Sequence, residues 1–122
     1  MTLELTELTA VSPIDGRYAR HTRPLRELMS EYGLIKHRIL VELRWFQCLA
    51  GEAGIAELPA LNDETNSAIN DLASNLSIAD AEQVKKIEAT TNQDVKAVED
   101  LVKEKLAGIE GLARYTEFVH FA

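Results

Sequence analysis

The sequence has little of what marks a secreted, membrane-spanning or nucleic-acid-binding protein. Among 122 residues there is one cysteine, Cys48, which excludes an internal disulfide and the stapled frameworks that depend on one. No stretch approaches the ~18 consecutive apolar residues of a membrane-spanning helix, and the opening "MTLELTELTA" has neither the basic start nor the apolar centre of a secretory signal. A soluble, cytoplasmic protein with no membrane partner is expected. Positive charge is also short: 13 lysines and arginines face 20 aspartates and glutamates, for a net charge of −7. That balance opposes a general affinity for nucleic acid, which needs clustered positive charge. There is no Gly-rich phosphate loop, nucleophile elbow or Cys pair, and His21, His37 and His120 show no metal-ligand spacing. No internal repeat or low-complexity tract is present.

What is present is a set of helical patterns separated by well-marked joints. At 46% hydrophobic residues the chain is long enough to bury a core as one domain, residues 1–122. The segment "LTAVSPIDGRYARHTRP" carries Ser12-Pro13 and Asp15-Gly16, two turn signals without helical periodicity, and reads as an ordered loop. A short helix is expected over Pro24 to Met29, then a long one from Glu31 or Leu34 to Ala50. In the long helix Ile35, Ile39, Leu43, Phe46 and Ala50 form one stripe, which Leu34, Val41, Trp45 and Leu49 widen. Trp45, Phe46 and Cys48 are read as core. Gly51 and Gly54 suit a helix exit, and Asn62 is a good N-cap for a helix over Asp63 to Asn75. Ser77 with Asp80 resembles a capping box opening a helix over Ile78 to Ala89, with Ile78, Ala81, Val84 and Ile87 or Glu88 near one face. The last long helix, Asp94 to Ala107, has Val95, Val98, Leu101, Val102 and Leu106 inward and ends at Gly108. The fold class is all-α, with five to six helices after an ordered N-terminal loop.

Two polar features stand apart from this core pattern. Between Arg17 and Arg26, "RYARHTRPLR" holds four arginines and a histidine with no acidic residue. Such a loop can hold a phosphate or carboxylate through arginine's planar fork, or it can be a set of solvated arginines paired with surplus carboxylates. At the joint before the last long helix stand Thr91, Asn92, Gln93 and Asp94. With Asn92 or Thr91 as N-cap, the free N–H groups of the first turn would attract an anion. Capping alone needs one side chain, worth ~1 kcal/mol, so four polar residues leave open a second task of contacting a ligand. The closing "YTEFVHFA" is apolar enough to dock against further chain or a partner subunit.

The stretches "LTAVSPIDGRY", "SEYGLIKHRILVELRWFQCLA", "TTNQDVKAVE" and "EFVHFA" resemble, in order and spacing, the N-terminal domain of the bacterial adenylosuccinate lyase family, within the fumarase and aspartase superfamily. The resemblance implies an elimination releasing fumarate from adenylosuccinate or from succinyl-aminoimidazole carboxamide ribotide, with no metal or organic cofactor, in a homotetramer. It implies that Arg17 and Tyr18 grip the nucleotide phosphate and that Asn92, Gln93 and Asp94 line the pocket near the succinyl group. The family's catalytic acid and base lie on elements beyond this stretch, so no catalytic residue is expected within it. One departure stands out: the family turn usually reads Thr-Thr-Asn-His-Asp, and Gln93 occupies the histidine position. Glutamine hydrogen-bonds a carboxylate but carries no charge and moves no proton. From a different class, a noncatalytic helical module docking a partner through its apolar C-terminus also fits the composition.

Overall fold

The computed structural model describes residues 2–121, and among them every regular element is helical. The chain forms two compact units, one ending at Leu34 and one beginning at Ile35. In the first, the Thr6 N–H donates to Thr9 Oγ1 at 2.7 Å and the Tyr18 N–H to the Pro13 carbonyl at 2.8 Å, so local turns replace regular structure until Ala19. Gly16 is buried at this point because the backbone passes close: a Cβ there would lie 2.7 Å from the Glu7 carbonyl oxygen. A single helical turn, α1 (Ala19–Thr22), leads through the 3-10 turn Arg23–Leu25 into α2 (Arg26–Met29). The ordered loop thus carries a helical turn that the sequence pattern does not signal.

Helix α3 (Glu31–Leu49) supplies the spine of the second unit. Ile35, Ile39, Leu43 and Phe46 of the apolar stripe are buried, with Leu49 beside them, while Ala50 at its end is half-buried. Four residues expected on the helix's apolar surface are not buried: Leu34, Val41 and Trp45 are 45%, 64% and 46% exposed, and Cys48 is exposed. At about 100° per residue, Cys48 lies some 200° round the helix from Phe46 and Trp45 about 100°, so neither shares the inward face. Gly51, at φ 80°, turns the chain out of α3, and its N–H reaches the Leu58 carbonyl at 3.3 Å. That conformation suits glycine.

Asn62 caps α4 (Asp63–Ser74) by accepting the Thr65 N–H at 2.7 Å, and Ser77 with Asp80 makes the full capping box of α5 (Ile78–Thr91). Helix α6 (Asp94–Ala107) packs along α5 and buries Ala97, Val98, Leu101, Val102 and Leu106. Val95 and Ile78, both expected inside, stay exposed in the first turns of their helices, where they sit beside open joints. A 3-10 segment, Ala113–Phe118, follows, with Leu112 and Val119 buried on either side of it. Lys105 of α6 pairs with Asp80 of α5 at 2.9 Å, beside a cleft of about 440 Å³ lined by Ile39, Leu43, Leu72 and Val102. None of the residues singled out for function lines that cleft.

Candidate functional site

Arg17 and Tyr18 lie in the first unit, and Asn92, Gln93 and Asp94 in the second. Tyr18 immediately precedes α1, and the Arg17 guanidinium lies 5.2 Å from the centroid of its ring. This is cation–π contact distance, which holds the guanidinium against an aromatic face while its N–H donors stay available. Both residues are exposed. Among the described residues, no carboxylate lies within ion-pair distance of Arg17, Arg20, Arg23 or Arg26; Arg20 Nε instead donates to His21 Nε2 at 3.3 Å. On an acidic protein, four arginines without carboxylate partners weigh against the solvated-pair reading of this loop.

The polar joint is built differently from the sequence expectation. Asn92 is the C-cap of α5, not the N-cap of α6: its φ is 56°, and its N–H donates to the Glu88 carbonyl at 2.7 Å. Asparagine tolerates this left-handed conformation better than most residues, which is why the helix stops there. Gln93, extended at φ −133°, is the N-cap of α6 through its backbone, and its side chain makes no capping bond. Thr91 Oγ1 accepts the Gln93 N–H at 3.3 Å. The side-chain amides of Asn92 and Gln93 have no partner among the described residues, and both residues are exposed.

Asp94 is fully engaged. Its Oδ1 accepts the Val95 N–H at 2.8 Å, taking one of the free donors of the first turn, and its Oδ2 accepts from Arg38 Nη1 at 3.1 Å. The Arg38 hydrogen bond, followed by that of the Val95 N–H, holds the Asp94 carboxyl below its ordinary value. Asp94 is therefore ionised at neutral pH and repels a second anion at the position its own carboxylate fills. Chemically, the joint presents two uncommitted amides beside a carboxylate whose charge Arg38 balances. Sequence reasoning missed Arg38, whose signal is its place on α3: Arg38, Glu42 and Trp45 follow one another at i, i+4 and i+7 beside the buried row. All three reach residues distant in sequence, Arg38 to Asp94, Glu42 to His120 and Trp45 to the Phe121 carbonyl. Among the described residues no group of His, Cys, Asp and Glu side chains is placed to hold a metal ion.

No protein-family model matches the chain. It is, however, 52% identical over 120 residues to the adenylosuccinate lyase of Vibrio cholerae, 47% identical to that of Haemophilus influenzae and 49% identical to that of Escherichia coli K12. In each case the match covers 98% of this chain and 26% of the relative, so the chain spans about a quarter of the length of the curated relatives it matches. Over nearly its whole length, the chain is similar in sequence to one quarter of these adenylosuccinate lyases.

Proposed function

We propose that this chain is the N-terminal helical domain of an adenylosuccinate lyase, a carbon–nitrogen lyase of purine nucleotide synthesis. The whole enzyme eliminates fumarate from adenylosuccinate, leaving AMP, and from succinyl-aminoimidazole carboxamide ribotide, leaving the free carboxamide ribotide. A base takes the proton from the carbon beside a carboxylate, the carbon–nitrogen bond breaks, and an acid returns a proton to the departing nitrogen. The acid and base belong to the other three quarters of the enzyme, and this domain supplies binding contacts. The reading is carried by 52% identity across 98% of the chain, the "TTNQDVKAVE" turn included. The same resemblance carries assembly as a homotetramer in the cytoplasm, without metal or organic cofactor.

Within that reading Arg17 and Tyr18 hold the substrate phosphate, and the arginines without carboxylate partners support it. Asn92 and Gln93 hydrogen-bond the succinyl group through amides that take no part in capping, while Asp94, fixed by Arg38, keeps the turn in shape. The test is Arg17→Ala in a full-length lyase carrying this stretch. Loss of a charge-assisted phosphate contact costs about 1.5–3 kcal/mol, so KM should rise roughly ten- to hundredfold for both substrates, with a smaller fall in kcat. An unchanged KM would remove Arg17 from the phosphate site.

A further inference from the structure

Three unusual features meet where the C-terminal segment crosses α3. His120 Nδ1 lies 2.6 Å from Glu42 Oε1, between residues 78 positions apart. The other Glu42 oxygen, Oε2, is buried without a hydrogen-bond partner, and the Glu42 side chain is only 13% exposed. His120 also holds a left-handed backbone, φ 58°, that non-glycine residues adopt at a cost. One turn further along α3, Trp45 Nε1 donates to the carbonyl of the next residue, Phe121, at 2.6 Å. Together they make a strained backbone, a carboxylate largely withdrawn from water and a single indole bond that share one fastening.

We propose that Glu42, His120 and Trp45 form a proton-controlled clasp that fastens the segment from Ala113 to Phe121 onto α3 and loosens it when His120 becomes neutral. A protonated imidazole gives the half-hidden carboxylate both a charge-assisted hydrogen bond and a counter-charge. A neutral imidazole gives only the hydrogen bond and leaves the buried Oε2 uncompensated. Loss of that hold frees the left-handed backbone at His120 to relax, and the Phe121 carbonyl moves with it, away from Trp45. The charged groups around the imidazole come from two helices, Glu42 of α3 and Lys96 and Glu99 of α6. The hydrogen bond to Glu42, then its charge, raises the His120 pKa above the ordinary value, with Glu99 adding and Lys96 opposing. A group whose pKa is raised in the folded state contributes its full stabilisation below the ordinary value and loses it as pH rises through the folded one. The clasp is therefore closed in mild acid and loosens on the alkaline side of the ordinary histidine range.

Trp45 is the only tryptophan in the sequence, so its indole N–H gives a single NMR cross-peak that reports the clasp directly. Followed between about pH 5.5 and 9, which brackets the histidine range, that peak should move with the His120 imidazole signal, at a midpoint above the ordinary histidine value. In His120→Asn, which keeps a residue tolerant of the left-handed backbone, the peak should stop moving over this range. In Glu42→Gln, which keeps the size but removes the counter-charge, the His120 midpoint should fall back to the ordinary range. A peak that stays fixed in the parent chain, or that moves equally in His120→Asn, would overturn the clasp.

Discussion

Arg38 and Asp94, 56 residues apart in the chain, are joined at 3.1 Å between Nη1 and Oδ2, and this bond ties α3 to the first residue of α6. It fixes the position of the turn whose two preceding residues, Asn92 and Gln93, have uncommitted side-chain amides. The bond also has a pH signature. With its folded pKa held down, Asp94 contributes stability above the ordinary aspartate range and loses that contribution as pH falls through its folded value. In Arg38→Ala the Asp94 carboxyl should titrate closer to its ordinary value, because the largest cause of the depression has gone. A carbon-detected NMR titration of the side-chain carboxyl checks this, and an unchanged midpoint would mean that the ion pair does not persist in solution.

The orientation of α3 makes a second prediction, one that separates two neighbouring residues. Phe46 is fully buried and Cys48 is exposed. Phe46→Ala should cost about 3–5 kcal/mol, as a large core truncation does, while Cys48→Ala should fall within roughly 0.5 kcal/mol of the parent, as surface changes do. Urea denaturation of both variants measures the difference. A large loss at Cys48 would place it in a packed interface.

Much of this architecture is legible in the sequence because it rests on local chemistry. Asn62, Ser77 and Asp80 announce two helix starts through caps a few residues long, and the spacing of Ile35, Ile39, Leu43 and Phe46 gives the buried face of α3. Leu34, Val41, Trp45 and Cys48 lie off the buried face because apolar character says that a residue tolerates burial, whereas the angle round the helix decides whether it has a neighbour. The joint at Thr91 to Asp94 reads as an N-cap because Asn is a favoured one. Its second preference, for the left-handed conformation that ends a helix, won at Asn92. Arg38 and Glu42 were missed because their partners, Asp94 and His120, are 56 and 78 residues away and only the folded chain brings them close.

Gln93 stands where the resemblance leads one to expect a histidine, and its amide is exposed and unpartnered at the joint. On the proposed placement of this turn at the succinyl group, a histidine there would add a cation beside the succinyl carboxylates and the negative charge that develops as the proton leaves. Loss of one preorganised electrostatic contact of this kind costs on the order of 2.7–4 kcal/mol, or 10²–10³ in rate. Gln93→His in a full-length lyase carrying this stretch should therefore raise kcat/KM for adenylosuccinate, by a factor that shrinks as pH rises and the imidazole loses its proton. Steady-state kinetics of both forms between about pH 6 and 9 measures it. Equal rates would mean that the elimination does not draw on a cation at this turn.

On the proposed function, these residues supply the binding domain of an adenylosuccinate lyase while the acid and base come from elsewhere in the enzyme. The most direct measurement of this is fumarate release from adenylosuccinate, followed by ultraviolet absorbance, after this chain replaces the matched quarter of the Vibrio cholerae relative. The exchanged enzyme should release fumarate, and the 122-residue chain alone should release none above a buffer blank. A folded exchange protein that releases no fumarate, or an isolated chain that does, would contradict the account.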